Sequence, residues 1–233
     1  MSIPIKGWQK NSLIDYSPYT ASVIFLGGCS FRCDYCHNPD LVLNFDKIPD
    51  IDANEIIDYL KSKKQWIDGV CITGGEPTIH KDLPLFISEL KKIGMKVKLD
   101  TNGTNPSMIK ELIDKKLIDY IAMDIKTILE DYEKVAAVHV DKEKIKESVS
   151  IIKNSSIDYE FRTTAIPGIV GKKEIFLIGR WLEGAERFCI QQFRADMPLI
   201  NKELQKLKPY SKEELNKMAE AVKPFLKKVE VRG

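Results

Sequence analysis

What most restricts the fold of this chain is the order of its hydrophobic patterns. Short runs rich in Val, Ile and aromatic residues occur at 21–27 (ASVIFLG), 69–73 (GVCIT), 96–101 (KVKLDT), 120–126 (YIAMDIK), 159–165 (YEFRTTA) and 187–193 (RFCIQQF). Several are apolar on both faces, as buried parallel strands are. Between them lie stretches with apolar residues at helical spacing, marked by Ile56, Ile57 and Leu60, by Leu83, Phe86 and Leu90, and by Ile109 and Leu112. Ile145 and Val149, Ile175 and Trp181, and Leu215, Met218 and Val222 mark three more. Asn105-Pro106 and Tyr210-Ser211 read as helix starts, one with Pro in the first turn and one with Ser as N-cap. Such an alternation, repeated about six times, dictates a parallel sheet with right-handed crossovers.

Eight units would close a full barrel in about 250 residues; the 233 residues here show six. The expected architecture is therefore α/β, a six-stranded (β/α)6 partial barrel, with a doubly wound open sheet as the alternative. There is no Ser/Gly/Pro-rich linker, repeat or low-complexity tract. A single domain over 1–233 is expected, its core at about 20–194 and a C-terminal helix and short strand within 195–233.

Composition excludes other classes. Hydrophobic residues are 43% and charged residues 30%, as in a globular protein. Apolar runs such as 22–27 are too short to span a bilayer, and residues 1–10 lack the apolar stretch of a secretory leader. With 36 basic and 34 acidic residues, a formal +2 gives no charge argument for nucleic acid. The expectation is a cytoplasmic protein with no membrane and no nucleic-acid partner.

Polar and unusual residues gather where strands end: Cys29 after the first, Gly74-Gly75-Glu76-Pro77 after the second, Asp100-Thr101-Asn102-Gly103 at the third, Asp124 and Lys126 at the fourth. Arg162 and Thr164 lie on the fifth, and Gln191 to Arg194 end the sixth. Carboxyl ends of strands form the active-site face in barrel-like α/β folds. Three of the five cysteines, Cys29, Cys33 and Cys36, stand in a C-x3-C-x2-C run followed by His37. An odd count without a leader argues against disulfides. Three thiolates on one loop suit three irons of a cubane [4Fe–4S] cluster; a Cys3His zinc knob with His37 is the alternative, although zinc loops usually bring two separated ligand pairs. Cys71 and Cys189, inside apolar strands, read as inert core thiols.

The cysteine run with an aromatic, Tyr35, before Cys36, and the Gly74–Pro77 turn about 40 residues on, resemble the radical S-adenosylmethionine (SAM) superfamily. The resemblance covers nearly the whole chain and implies a (β/α)6 partial barrel. A narrower resemblance, in Asn11–Tyr16 and in Cys36-His37-Asn38-Pro39, is to the glycyl-radical-enzyme activases, including the longer form of the anaerobic ribonucleoside-triphosphate reductase activating protein. Some activases insert a ferredoxin-like module; this chain lacks its cysteines, so one cluster is implied.

The resemblance carries roles onto matching positions. Cys29, Cys33 and Cys36 would ligate the cluster, whose open iron chelates SAM. One electron would then cleave SAM, and the 5′-deoxyadenosyl radical would take hydrogen from a glycine of the partner enzyme. Gly74 and Gly75 would allow close approach of the methionine moiety and Glu76 would face its ammonium group. Lys126 would pair with the SAM carboxylate. Asp100, Thr101, Met123 and Asp124 match a monovalent-cation pattern, which strand-end acids capping helices would also explain. Tyr35 and His37 would border adenine, and Asn102, Ile125, Arg162 and Arg194 complete the expected SAM-side set. Arg162 needs an anionic partner, from SAM, a bound peptide or a structural ion pair. Gly168–Glu174 partly resembles the adenine-side pattern. The partner implied is a glycyl-radical enzyme, foremost the anaerobic reductase, with flavodoxin or ferredoxin as electron donor. The alternatives are a small-molecule radical SAM enzyme like 7-carboxy-7-deazaguanine synthase, and a non-catalytic iron–sulfur or zinc protein.

Overall fold

The computed structural model describes residues 3–233; the first two positions of the N-terminal stretch read above lie outside them. Eight strands form one sheet in sequence order: β1 (Ile5–Ser12), β2 (Ala21–Leu26), β3 (Gly69–Gly74), β4 (Lys96–Thr101), β5 (Tyr120–Asp124), β6 (Asp158–Ala165), β7 (Phe188–Gln192) and β8 (Val229–Arg232). β1 runs antiparallel to β2 and every later pairing is parallel. The six expected strands are β2 to β7, and the short terminal strand expected after residue 195 is β8. An N-terminal strand, β1, was not expected. Its sequence IKGWQKNS buries only Ile5 and Ser12, so it carries no strand-like hydrophobic signal. It is held by its ladder to β2 and by Trp8 Nε1 donating to Ser22 Oγ at 2.7 Å.

The helices are α1 (Pro39–Leu43), α2 (Ala53–Ser62), α3 (Leu83–Lys92), α4 (Pro106–Asp114), α5 (Tyr132–Ala136), α6 (Lys142–Lys153), α7 (Lys172–Trp181) and α8 (Lys212–Val222). The two expected starts cap as the side chains dictate. Asn105 accepts from the Met108 N–H, and Ser211 and Glu214 form a reciprocal capping box. α1 and α5, each five residues, are too short to show a period and were not expected. No helix among the described residues is long and apolar enough to cross a membrane.

Strand alternation divides the sheet into two chemistries. Val70, Ile72, Val97, Leu99, Ile121, Met123, Phe161, Phe188 and Ile190 are buried in the apolar core shared with the helices. The opposite face carries Lys98 and Asp100 on β4, Asp124 on β5, Glu160 and Arg162 on β6, and Glu230 and Arg232 on β8. Arg162 bridges Asp100 and Asp124, and Arg232 forks onto Glu160 at 2.9 and 2.6 Å. The curl of the sheet thus encloses an ionic lumen. β5 ends at Asp124, so Lys126 stands just past the strand, its backbone N–H donating to the Tyr132 hydroxyl at 3.2 Å.

Candidate active site

One cavity of about 420 Å³ opens at the carboxyl ends of the strands. It is lined by Cys29, Cys33, Tyr35, Cys36 and His37 from the loop after β2, and by Gly74, Gly75 and Glu76 after β3. Asp100, Thr101 and Asn102 from β4, Asp124 and Lys126 from β5, Arg162 and Thr164 from β6, and Gln191 from β7 complete the ring. Residues from six consecutive strand ends therefore face one space. Asp15, Phe31, Asn38, Val42, Thr73 and Gln192 also line it; Asp15, Asn38 and Gln192 fall within stretches read above, but none of the six was given a role at the site. Phe31, Val42 and Thr73 carry no local pattern that separates them from ordinary loop or strand residues.

All five cysteines are free. The Arg32 guanidinium shapes the cysteine loop by donating to the carbonyls of Cys29 at 2.7 Å and Phe31 at 2.8 Å. Burial, reinforced by the Glu76 charge, pushes the Cys29 thiol up to about 12. Burial also raises Cys33, and the Lys126 charge opposes it. Both thiols are thus neutral until a metal displaces their protons. Among the described residues no three Cys, His, Asp or Glu side chains converge as one shared ion would require. Three thiols that face one cavity without converging fit a cubane, in which each holds a different iron, better than a zinc knob. His37 keeps a buried Nε2 without a hydrogen-bond partner, and burial holds its imidazole below the usual range.

The Gly-Gly-Glu turn is fixed by the chain itself. Gly74 has φ +115°, and a Cβ there would lie 2.5 Å from the Leu26 backbone; at Gly75 it would lie 1.9 Å from the Gly28 carbonyl oxygen. The glycines are therefore required first by the close approach of this turn to the end of β2 and to Gly28, just before the first cysteine. Glu76 is wholly buried, and burial raises its pKa. Its Oε1 accepts from the Thr78 N–H at 3.1 Å and from the Thr78 and Thr101 hydroxyls, and its Oε2 from the Asn102 N–H at 2.6 Å. This carboxylate ties the β3 turn to the β4 turn, with little acceptor capacity left for an ammonium group.

The charged wall is a chain of five groups. Lys98 reaches Asp100 at 2.7 Å, Arg162 joins Asp100 at 3.1 Å to Asp124 at 2.8 Å, and Lys126 closes on Asp124 at 3.1 Å. Despite burial, Arg162 and Lys126 hold Asp124 down at about 2. Asp100 is lowered likewise, by Arg162 and Lys98 against burial. The anionic partners that Arg162 needs are thus its own strand neighbours. Asp100, Thr101, Met123 and Asp124 do sit together at the ends of β4 and β5. Both carboxylates are already paired, however, and Thr101 donates to Glu76, so a cation there would have to displace Arg162. The Lys126 ammonium lies 5.9 Å over the Tyr35 ring.

Several expected contacts fall outside the cavity lining. Ile125 is fully buried, its N–H on the Arg162 carbonyl and its own carbonyl accepting from Thr163. Met123 faces the helix side, over Gly103. Arg194 is exposed and forked onto Asp196. In 168–174, the Glu174 carboxylate accepts from the Gly171 N–H and caps α7. His80 bonds the Gly27 carbonyl and His139 pairs with Glu133 at the surface.

Residues 23–174 match the model of the radical SAM superfamily. A Methanocaldococcus jannaschii protein named as a glycyl-radical enzyme activating enzyme is 33% identical over 100% of this chain and 97% of its own length. The pyruvate formate-lyase-activating enzyme of Streptococcus mutans is 29% identical over 72% of this chain and 69% of its own. Among solved structures, Streptococcus suis SuiB bound to its precursor peptide SuiA superposes with a TM-score of 0.69 at 16% identity, over 89% of this chain. The chain spans about half of that structure (48%), and the likeness concerns the fold alone.

Proposed function

The chain belongs to the radical SAM superfamily, among its glycyl-radical enzyme activating enzymes, and on that premise we propose that it installs the glycyl radical of an anaerobic ribonucleoside-triphosphate reductase. The cofactors of this family are a [4Fe–4S] cluster and SAM. Cys29, Cys33 and Cys36 are the residues we assign to the cluster, and the Gly74–Glu76 turn with Lys126 to SAM. When bound, the two cofactors supply a one-electron cleavage whose 5′-deoxyadenosyl radical takes a hydrogen atom from glycine.

The residues of the chain prepare that reaction by holding charge in place. Lys126, the cation that meets the SAM carboxylate, is kept at the cavity wall by Asp124, and Asp124 is kept ionised by Arg162. Glu76 fixes the two turns that flank the cysteine loop. Thr164 and Gln191, uncharged and polar, offer hydrogen bonds to the backbone of an entering loop.

The observation that carries the choice of a protein substrate is the open mouth: among the described residues, none after Gln192 lines the cavity. β8 extends the sheet beside β7 and α8 packs on α7 and β8, while Asn201, between β7 and α8 in sequence, braces the cysteine loop through its N–H on the Asp34 carbonyl at 2.9 Å without lining the cavity. An uncovered mouth suits a partner that brings its own glycine loop, at the energetic cost of opening that partner locally. The likeness to pyruvate formate-lyase-activating enzymes favours a formate-lyase-type partner as the second reading. Flavodoxin or ferredoxin in the cytoplasm would deliver the electron. The test mixes this protein, SAM and reduced flavodoxin with each partner class anaerobically and looks for the glycyl doublet by electron paramagnetic resonance. A doublet on the reductase alone supports the first reading, and a doublet on the lyase alone the second. Turnover of a small molecule with neither doublet removes both.

A further inference from the structure

We propose that Asn102 is a positioning residue for the iron–sulfur cluster, its side-chain amide donating to the Cys29 sulfur and thereby favouring the reduced cluster. The inference rests on the assignment of Cys29 as a ligand.

Asn102 follows β4, is 5% exposed, and has its backbone N–H and both side-chain polar atoms committed within the protein. Its backbone N–H donates to Glu76 Oε2 at 2.6 Å. Its Oδ1 accepts from the Thr104 N–H at 3.0 Å and the Thr104 hydroxyl at 2.8 Å. Its Nδ2 donates to Ser30 Oγ at 3.0 Å and reaches Cys29 Sγ at 3.9 Å. The Thr104 backbone can only donate, so it fixes which end of the amide is oxygen; the NH2 end must then face the cysteine loop. That commitment leaves the side chain no free donor or acceptor for SAM and replaces the contact expected from the sequence.

Electrostatics gives the amide its role. Glu76 is a wholly buried carboxyl that lies just behind Asn102, accepting its backbone N–H at 2.6 Å while the amide of the same residue reaches Cys29 Sγ. Reduction of a cluster adds one electron to its sulfur-rich frame, so a nearby carboxylate opposes reduction and an N–H aimed at sulfur supports it. Cys29 has two such donors, the Phe31 N–H at 3.3 Å and Asn102 Nδ2. Asn102 thus stands between the opposing carboxyl and the sulfur, hydrogen-bonded to both.

The experiment uses the anaerobically reconstituted protein carrying asparagine labelled with 15N in its side-chain amide, reduced with dithionite. Pulsed electron paramagnetic resonance should show a 15N hyperfine coupling to the reduced cluster, lost in Asn102→Leu. A mediated dithionite titration should place the Asn102→Leu midpoint potential below the parent value. Ser30→Ala, which keeps the Asn102–Cys29 contact, should retain the parent potential. A labelled parent with a full cluster but no 15N coupling overturns the inference and leaves the cluster assignment standing. A Cys29→Ala protein with a full cluster overturns the assignment and the inference with it.

Discussion

Replacing Arg162 by Leu would take the central cation out of the lumen and leave Asp100 and Asp124 facing each other across β4 and β5. Removing one partner of a buried pair destabilises by about 3–5 kcal/mol. The Arg162 side chain is 11% exposed, which puts it in that class, but Lys98 still reaches Asp100 and Lys126 still reaches Asp124. The lower end, about 3 kcal/mol, is therefore expected. For a chain of this size that corresponds to a melting temperature lower by roughly 6–12 °C. The acid side provides an independent check. Asp124, depressed from 3.8 to about 2, contributes up to about 2.4 kcal/mol at about 1.36 kcal/mol per pH unit. A depressed carboxyl stabilises the fold fully above its unfolded value and loses that contribution as pH falls through the folded one. Much of it depends on Arg162, so the gap between parent and variant should be widest near pH 7 and narrow as pH drops from about 4 to about 2. Anaerobic urea unfolding followed by circular dichroism across that range measures both. A loss below about 1 kcal/mol at pH 7, or a gap that stays constant down to pH 2, would refute the ion-pair account.

Single Cys→Ala replacements at positions 29, 33 and 36 should each abolish the cluster after anaerobic reconstitution, while Cys71→Ala and Cys189→Ala should retain it, as read by iron and sulfide content; tightly bound zinc without iron in the parent would contradict the assignment. Lys126→Ala should weaken SAM binding by about 1.5–3 kcal/mol, the worth of a hydrogen bond to a charged group. Calorimetry on the reconstituted protein checks it, and unchanged affinity would remove Lys126 from the site.

Most of the site was legible because chemistry and topology coincide. A turn such as Gly74-Gly75-Glu76-Pro77 after an apolar strand is a local signal, and so are three cysteines in eight positions. Lys98 shows what was not. In K-V-K-L-D, alternate charges read as a solvent-facing strand edge, yet Lys98 and Asp100 turn inward and pair with each other, and Asp100 pairs also with Arg162, 62 positions away in sequence. The same holds for Glu160 and Arg232, 72 positions apart. Pairings of that kind are properties of the closed lumen and leave no local trace. Ile125 and Arg194 were placed at the site by adjacency to strand ends, but pleat direction and a neighbouring Asp196 took them elsewhere. β1 escaped notice because its outer positions face solvent and its polar residues dilute the pattern.

The division of the sheet into an apolar outer face and a salt-linked inner one has a consequence for the ligand-free protein. A tunnel walled by leucine and valine would lower its free energy by collapsing or shedding its water, and a ligand would first have to pry it apart. Here one wall is a set of ions paired with each other, Lys98 with Asp100 and Arg162 with Asp100 and Asp124, and such a wall gains nothing by closing on an apolar neighbour. Entry then amounts to an exchange of solvent for solute against a rigid template. The ordering of those side chains is settled when the chain folds, before any guest arrives.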